Sequence, residues 1–184
     1  LTKQTIAGDI PFIESFIKRV HILGELPVSE INDLLSNVPL LAQVINFINL
    51  HNDDCIIATG NFSGWVDKLC QRIGCQYFCS SGIVNHNKIE KLTHILKKEE
   101  IVSKFKDLGH SIVFIGDGNN DVTAMQKADV SIACGVVHSP AKSVLTVADY
   151  AVFNENSLVR ILNQIRTQQS GKSVIISCAG IGSR

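Results

Sequence analysis

At 184 residues the chain is long enough for one domain with a substantial core. Lysine plus arginine number 17, as do aspartate plus glutamate, and no basic block breaks this balance, so nucleic acid is not an expected partner. Hydrophobic residues make up 45% and charged residues 18%, an ordinary globular composition; no apolar run is long enough for a membrane helix, and the opening residues do not read as a signal peptide.

In chain order, residues 10–23 and 28–35 read as two helices joined around Gly24 and Pro27, a small lid ahead of the main pattern. Residues 40–50 carry apolar side chains at helical spacing and stop at Asn52-Asp53-Asp54. The run Cys55-Ile56-Ile57-Ala58 is a strand. The helix over 65–73 follows, with Ser63 placed to cap it and Gly74 to end it. Residues 77–93 are short-patterned and polar, consistent with a hairpin turning at His86-Asn87. A helix over 99–108 ends at Gly109. Strands are expected at 112–115, 130–133, 150–153 and, beyond a helix over 158–165 and a polar stretch 167–172, at 174–177.

The strand runs are almost continuously apolar, as strands buried on both faces are. Their alternation with helices predicts an α/β fold, a Rossmann-like parallel sheet flanked by helices, with a small helical cap and a ligand at the strands' carboxyl ends. The expected division is a core of 1–9 and 39–166, a cap of 10–38, and a linker with a further strand over 167–184. The six cysteines, Cys55, Cys70, Cys75, Cys79, Cys134 and Cys178, form no CxxC pair. They read as small core residues in a reducing cytosol, which makes a cytoplasmic location the expectation. Cys70, Cys75 and Cys79 are a conceivable zinc set, but their spacing fits no common pattern.

Chemistry concentrates in three places. Gly116-Asp117-Gly118-Asn119-Asn120-Asp121 follows a buried strand directly. Two carboxylates four residues apart at such a strand end, Asp117 and Asp121, make a hard-oxygen site suited to Mg²⁺. Asp, Asn and Gly are also plain turn residues. Ala58-Thr59-Gly60-Asn61 again lies between strand and helix, where a hydroxyl, a glycine amide and a helix start hold a phosphate oxygen, or simply cap a helix. Lys97-Lys98 opens the helix leading to the Asp117 strand, where a lysine reaches phosphate and carboxylates, or only solvent.

In this order the three resemble the haloacid dehalogenase superfamily, whose pattern is DxDx[TV], a Ser/Thr, a Lys and GDxxxD. Thr59, Lys98, Asp117 and Asp121 match the last three, and Ala128-Asp129 to Ala133 and Ala148-Asp149-Tyr150 are similar too. Within the superfamily the chain looks like the phosphoserine phosphatases, through residues 10–23 and Lys98-Glu99-Glu100-Ile101-Val102. The resemblance implies a phosphomonoester hydrolase acting through an aspartyl-phosphate on a small phosphorylated metabolite. It implies Mg²⁺ bound directly by Asp117 with Asp121 holding the metal's water shell, phosphoryl binding by Thr59, Gly60 and Asn61, and charge stabilisation by Lys98. Asn120 would orient substrate or water, and Arg19 would read a substrate carboxylate. Leu1-Thr2 looks like the pair that follows DxDx[TV], so that motif is expected directly ahead of Leu1, and the chain without it is expected to be inactive. Gln4 stands near the position of a cap glutamate of the family.

Two alternatives stay open: a soluble relative of the cation-pumping ATPases, which share GDGxND but have an aspartate where Asn61 stands, and a non-catalytic binding module. At the far end, Val174 to Ser177 followed by Ala179-Gly180-Ile181-Gly182-Ser183-Arg184 resembles the opening of the nucleotidyltransferases. That resemblance implies nucleotide contacts from Gly180, Gly182 and Arg184; the other reading is one more edge strand of the phosphatase sheet.

Overall fold

The computed structural model describes residues 11–168 and 173–177. Helices α1 (Phe12–Leu23), α2 (Val28–Ser36) and α3 (Ala42–Leu50) come first, then a 3₁₀ turn over Asn52–Asp54. The alternation follows as β1 (Cys55–Phe62), α4 (Ser63–Ile73), β2 (Gln76–Asn85), β3 (Lys88–His94), α5 (Lys98–Asp107) and β4 (Ser111–Gly116). A second 3₁₀ turn over Asn119–Asp121 leads to α6 (Val122–Lys127), β5 (Val130–Cys134), α7 (Lys142–Val147), β6 (Tyr150–Val152), α8 (Glu155–Gln168) and β7 (Ser173–Ser177). Among the described residues no helix is long and apolar enough to cross a membrane.

The seven strands form one sheet in the order β3-β2-β1-β7-β4-β5-β6, parallel throughout except for the β2–β3 hairpin. Successive strand residues face opposite sides, and here both sides are apolar. Cys55, Ile57, Val113, Ile115, Ile132 and Ile175 join one core with α3, α4 and α8. Ile56, Ala58, Ile112, Phe114, Ala133, Val174 and Ile176 join the other with α5, α6 and α7. This double burial is why the runs lack a polar alternation.

β7 lies between β1 and β4 and is parallel to both, so it is a central strand and not an edge. It belongs to the same sheet as the Asp117 strand. Gly180, Gly182 and Arg184 lie outside the described residues, as do Leu1, Thr2 and Gln4. β1 is longer than its apolar run, reaching Phe62 and leading straight into α4. Ser63 therefore is the first helical residue and makes no capping bond, contrary to the capping role its position suggests; no loop is left for a cap to occupy.

The hairpin turns at His86 and Asn87, with φ of 48° and 62°, between the paired residues Asn85 and Lys88. Positive φ at both central positions is the two-residue turn that matches strand twist. The turn also serves α2. Pro27 offers no capping side chain, and Asn87 supplies the acceptors instead: its carbonyl takes the Val28 N–H at 2.7 Å and its Oδ1 the Ser29 N–H at 3.1 Å. α2 is further tied to α4, where Asn32 Oδ1 accepts the Lys68 N–H and Val28 packs over Gly64. Glu155 at the start of α8 does for α3 what Asn87 does for α2, accepting the N–H groups of Gln43 and Val44.

Candidate active site

The carboxyl end of β4 builds the site. After Gly116 the chain enters a tight turn, and the Asp121 side chain folds back under it. Asp121 Oδ2 accepts the N–H groups of Asp117 and Gly118, each at 3.0 Å, and Oδ1 accepts from Lys98 Nζ at 2.6 Å. Asp121 is fully buried and the Lys98 side chain is 8% exposed. A Cβ on Gly116 would stand 2.6 Å from Asp121 Cβ. The glycine is there to make room for this carboxylate; Gly118 beside it has φ of −109°, which any residue adopts.

Both oxygens of Asp121 are thus engaged within the protein. Asp117 lies at the turn's outer side, with one carboxylate oxygen, Oδ2, 2.9 Å from His138 Nε2. Burial first, and the Asp121 carboxylate next, push the Asp117 carboxyl up to about 6, against the pull of His138 and Lys98. A buried carboxylate held against its charged form is stabilised by a cation.

Thr59, Gly60 and Asn61 occupy the end of β1. Thr59 Oγ1 accepts the Asn61 N–H at 3.2 Å, which leaves its own O–H to donate. Register relates the two strand ends. Ser177 of β7 pairs with Ile57 on one side and Ile115 on the other. Thr59 and Asp117 each lie two residues further on, so they flank the exit of β7 at the same level, separated by two strand spacings, roughly 10 Å.

Two residues that sequence reading missed hold this arrangement. Ser80, fully buried in β2, donates to the Gly60 carbonyl at 2.8 Å and accepts the Leu96 N–H at 3.0 Å. It clamps the phosphate-loop candidate to the segment just before Lys98. His138, in the connection from β5 to α7, puts Nε2 2.9 Å from Asp117 Oδ2. A histidine on the loop leaving the next parallel strand was a readable signal, because all such loops open on the same sheet edge.

The structure therefore brings Lys98, Asp117 and Asp121 together and sets Thr59 to Asn61 at the neighbouring end. Asn120 lies on the turn itself, partly exposed. Arg19 lies on α1, its guanidinium 5.8 Å from the Phe16 ring, and its buried Nε finds no hydrogen-bond acceptor among the described residues. Lys97 is exposed and forms an ion pair with Glu100 at 3.8 Å. An open cleft of about 630 Å³ between α1 and β3, lined by residues including His21, Glu25, Lys91 and His94, contains none of these groups.

Residues 3–129 match the haloacid dehalogenase-like hydrolases. The phosphoserine phosphatase of Campylobacter jejuni subsp. doylei is 26% identical over 150 residues, covering 72% of this chain and 70% of that protein. A calcium-transporting ATPase of Plasmodium falciparum is 25% identical over 174 residues, 84% of this chain and 13% of that one. A solved phosphoserine phosphatase in a phospho-aspartyl intermediate analogue form aligns with a TM-score of 0.71 at 23% identity, covering 89% of this chain and 82% of that chain, a likeness of fold.

Proposed function

The chain belongs to the haloacid dehalogenase-like hydrolase family, and from that premise we propose that it is the core of a Mg²⁺-dependent phosphomonoester hydrolase that works through an aspartyl-phosphate on a small polar metabolite. The observation that carries this reading is the buried Lys98–Asp121 pair locked under the turn that presents Asp117. Phosphoryl transfer asks for positioned charge more than for covalent chemistry, and this cluster supplies it. The phosphoserine phosphatase relative supports the phosphomonoester class.

The donor chemistry of Asp117 fits a hard dication, and Mg²⁺ bound there would offset the repulsion between an anionic nucleophile and the phosphate. Asp121 acts one step back: it fixes the two amides that orient Asp117. Lys98 pairs with Asp121 and adds positive charge beneath the site. The Thr59 O–H and the Gly60 N–H bind phosphoryl oxygens, with Asn61 and Asn120 at the rim. β7, the strand between these two ends, carries no carboxylate, so it does not supply the nucleophile of this route. Residues 10–38 act as a cap, and Arg19, with a donor lacking an acceptor, reads a second anionic group on the substrate.

The test is phosphate release by the full-length protein from phosphoserine and from neutral phosphomonoesters. Asp117→Asn is expected to lose about 10²-fold or more of the Mg²⁺-dependent rate, and Arg19→Ala to raise KM for the anionic substrate alone. Undiminished turnover in Asp117→Asn overturns the metal assignment. Equal use of every monoester, insensitive to Arg19→Ala, overturns selection by the cap.

A further inference from the structure

The geometry points to His138 as a second protein ligand beside Asp117, which turns an all-oxygen cation site into a mixed nitrogen–oxygen site that takes Co²⁺ or Zn²⁺ through the imidazole. This rests on the reading of Asp117 as the metal carboxylate.

Distance is the first argument. Two cis ligands, each ~2.1 Å from one ion, lie about 3 Å apart, from the bond lengths usual for imidazole nitrogen and carboxylate oxygen. His138 Nε2 and Asp117 Oδ2 are 2.9 Å apart. An ion shared by the two would take the place of this hydrogen bond, sitting to one side of the line that joins the two atoms.

Fixation is the second. The loop carrying His138 is anchored at both ends. The Gly135 N–H donates to the Val152 carbonyl at 2.7 Å and the Ala141 N–H to the Asp117 carbonyl at 2.8 Å. Gly135 is also packed so tightly that a Cβ there would stand 2.4 Å from the Phe153 ring. The Asp117 carbonyl itself thereby holds the far end of the loop that carries His138.

Ligation carries a cost at the other ring nitrogen. His138 Nδ1 is buried and has no hydrogen-bond partner among the described residues. Ligation through Nε2 would put the ring proton at Nδ1, and the ion's bond must exceed the cost of that unmet N–H.

Imidazole favours later first-row ions, whereas Mg²⁺ prefers oxygen and keeps its waters. His138 therefore adds to Co²⁺ and Zn²⁺ affinity and not to Mg²⁺ affinity. The experiment is calorimetric titration of the full chain with Co²⁺ and, separately, Mg²⁺, using wild type, His138→Gln and Asp117→Asn. A long-range ¹H–¹⁵N spectrum of the histidines with Zn²⁺ runs alongside. His138→Gln is expected to weaken Co²⁺ at least about tenfold and to leave Mg²⁺ within about twofold, and Zn²⁺ is expected to shift the His138 Nε2 resonance. If Asp117→Asn abolishes binding while His138→Gln changes neither ion and the Nε2 resonance stays put, the inference is overturned and the Asp117 reading stands. If Asp117→Asn leaves Co²⁺ and Mg²⁺ binding untouched, both fall together.

Discussion

Lys98 and Asp121 meet at 2.6 Å with almost no solvent around them, and removing one leaves the other buried and charged. Lys98→Ala is expected to cost about 3–5 kcal/mol of stability. Lys97→Ala should stay within about 0.5 kcal/mol, since Lys97 is exposed and its ion pair with Glu100 is long. Urea denaturation of the two variants measures the contrast, and equal costs would mean the two lysines are not divided in this way. The identity of these residues was legible in sequence, because glycine, two carboxylates and a preceding lysine follow one another in a fixed order. The resemblance assigned Asp117 and Asp121 different roles, but the spacing alone did not show how the protein holds them apart. A four-residue spacing does not say which carboxylate is folded under the turn and which faces outward. Ser80 was invisible for another reason: it acts on Gly60, 20 positions away, through a contact that only the assembled sheet creates.

At the scale of elements, distant side chains finish what local sequence leaves open. Asn87 satisfies the first N–H groups of α2 from 58 residues away, because Pro27 cannot. Asn87→Ala is expected to cost about 0.5–2 kcal/mol, and the same variant should speed hydrogen exchange at Ser29 with little change in β5. The hairpin was readable from its turn, but its capping of α2 was not, since capping rules look only at neighbours. A second device repeats along the sheet. Asp129 Oδ2 accepts the Ile112 N–H at 2.8 Å, and Asp149 Oδ2 accepts the Ser131 N–H at 2.7 Å, so each aspartate ahead of a strand pins the start of the strand beside it. For Asp129, burial works to raise the carboxyl, but the Lys106 and Ile112 hydrogen bonds outweigh it and hold it below the usual carboxylate range. A depressed folded value means the contribution is present above the unfolded value of about 3.9 and is lost as pH falls through the lower folded one. Asp129 is 38% exposed, so the amount is at most about 1 kcal/mol. The stability gap between wild type and Asp129→Asn should therefore be open at pH 6 and close toward pH 3; a gap that widens in acid would contradict the assignment.

At the scale of the whole molecule, β7 joins two half-sheets. On one side stand β3, β2 and β1 with Thr59, and on the other β4, β5 and β6 with Asp117; within the sheet β7 connects them. Ile176 is fully buried, and Ile176→Ala is expected to lower stability by about 2–5 kcal/mol. It should do so with a cooperative transition in urea, whereas independent melting of the two halves would deny β7 this role. The fold class was plain in the sequence, because doubly buried strands and amphipathic helices alternate along it. The position of β7 was less so: its apolar run says that it is buried, and nothing in five residues says between which neighbours. That position also has a consequence for the order of events during synthesis. β1 and β4 emerge from the ribosome well before residues 173–177, each presenting a row of unpaired N–H and C=O groups to the gap between them. Long-range parallel pairing forms slowly, so the nascent chain carries two open edges until its last described strand arrives, and that interval is when it is most exposed to pairing with the wrong partner.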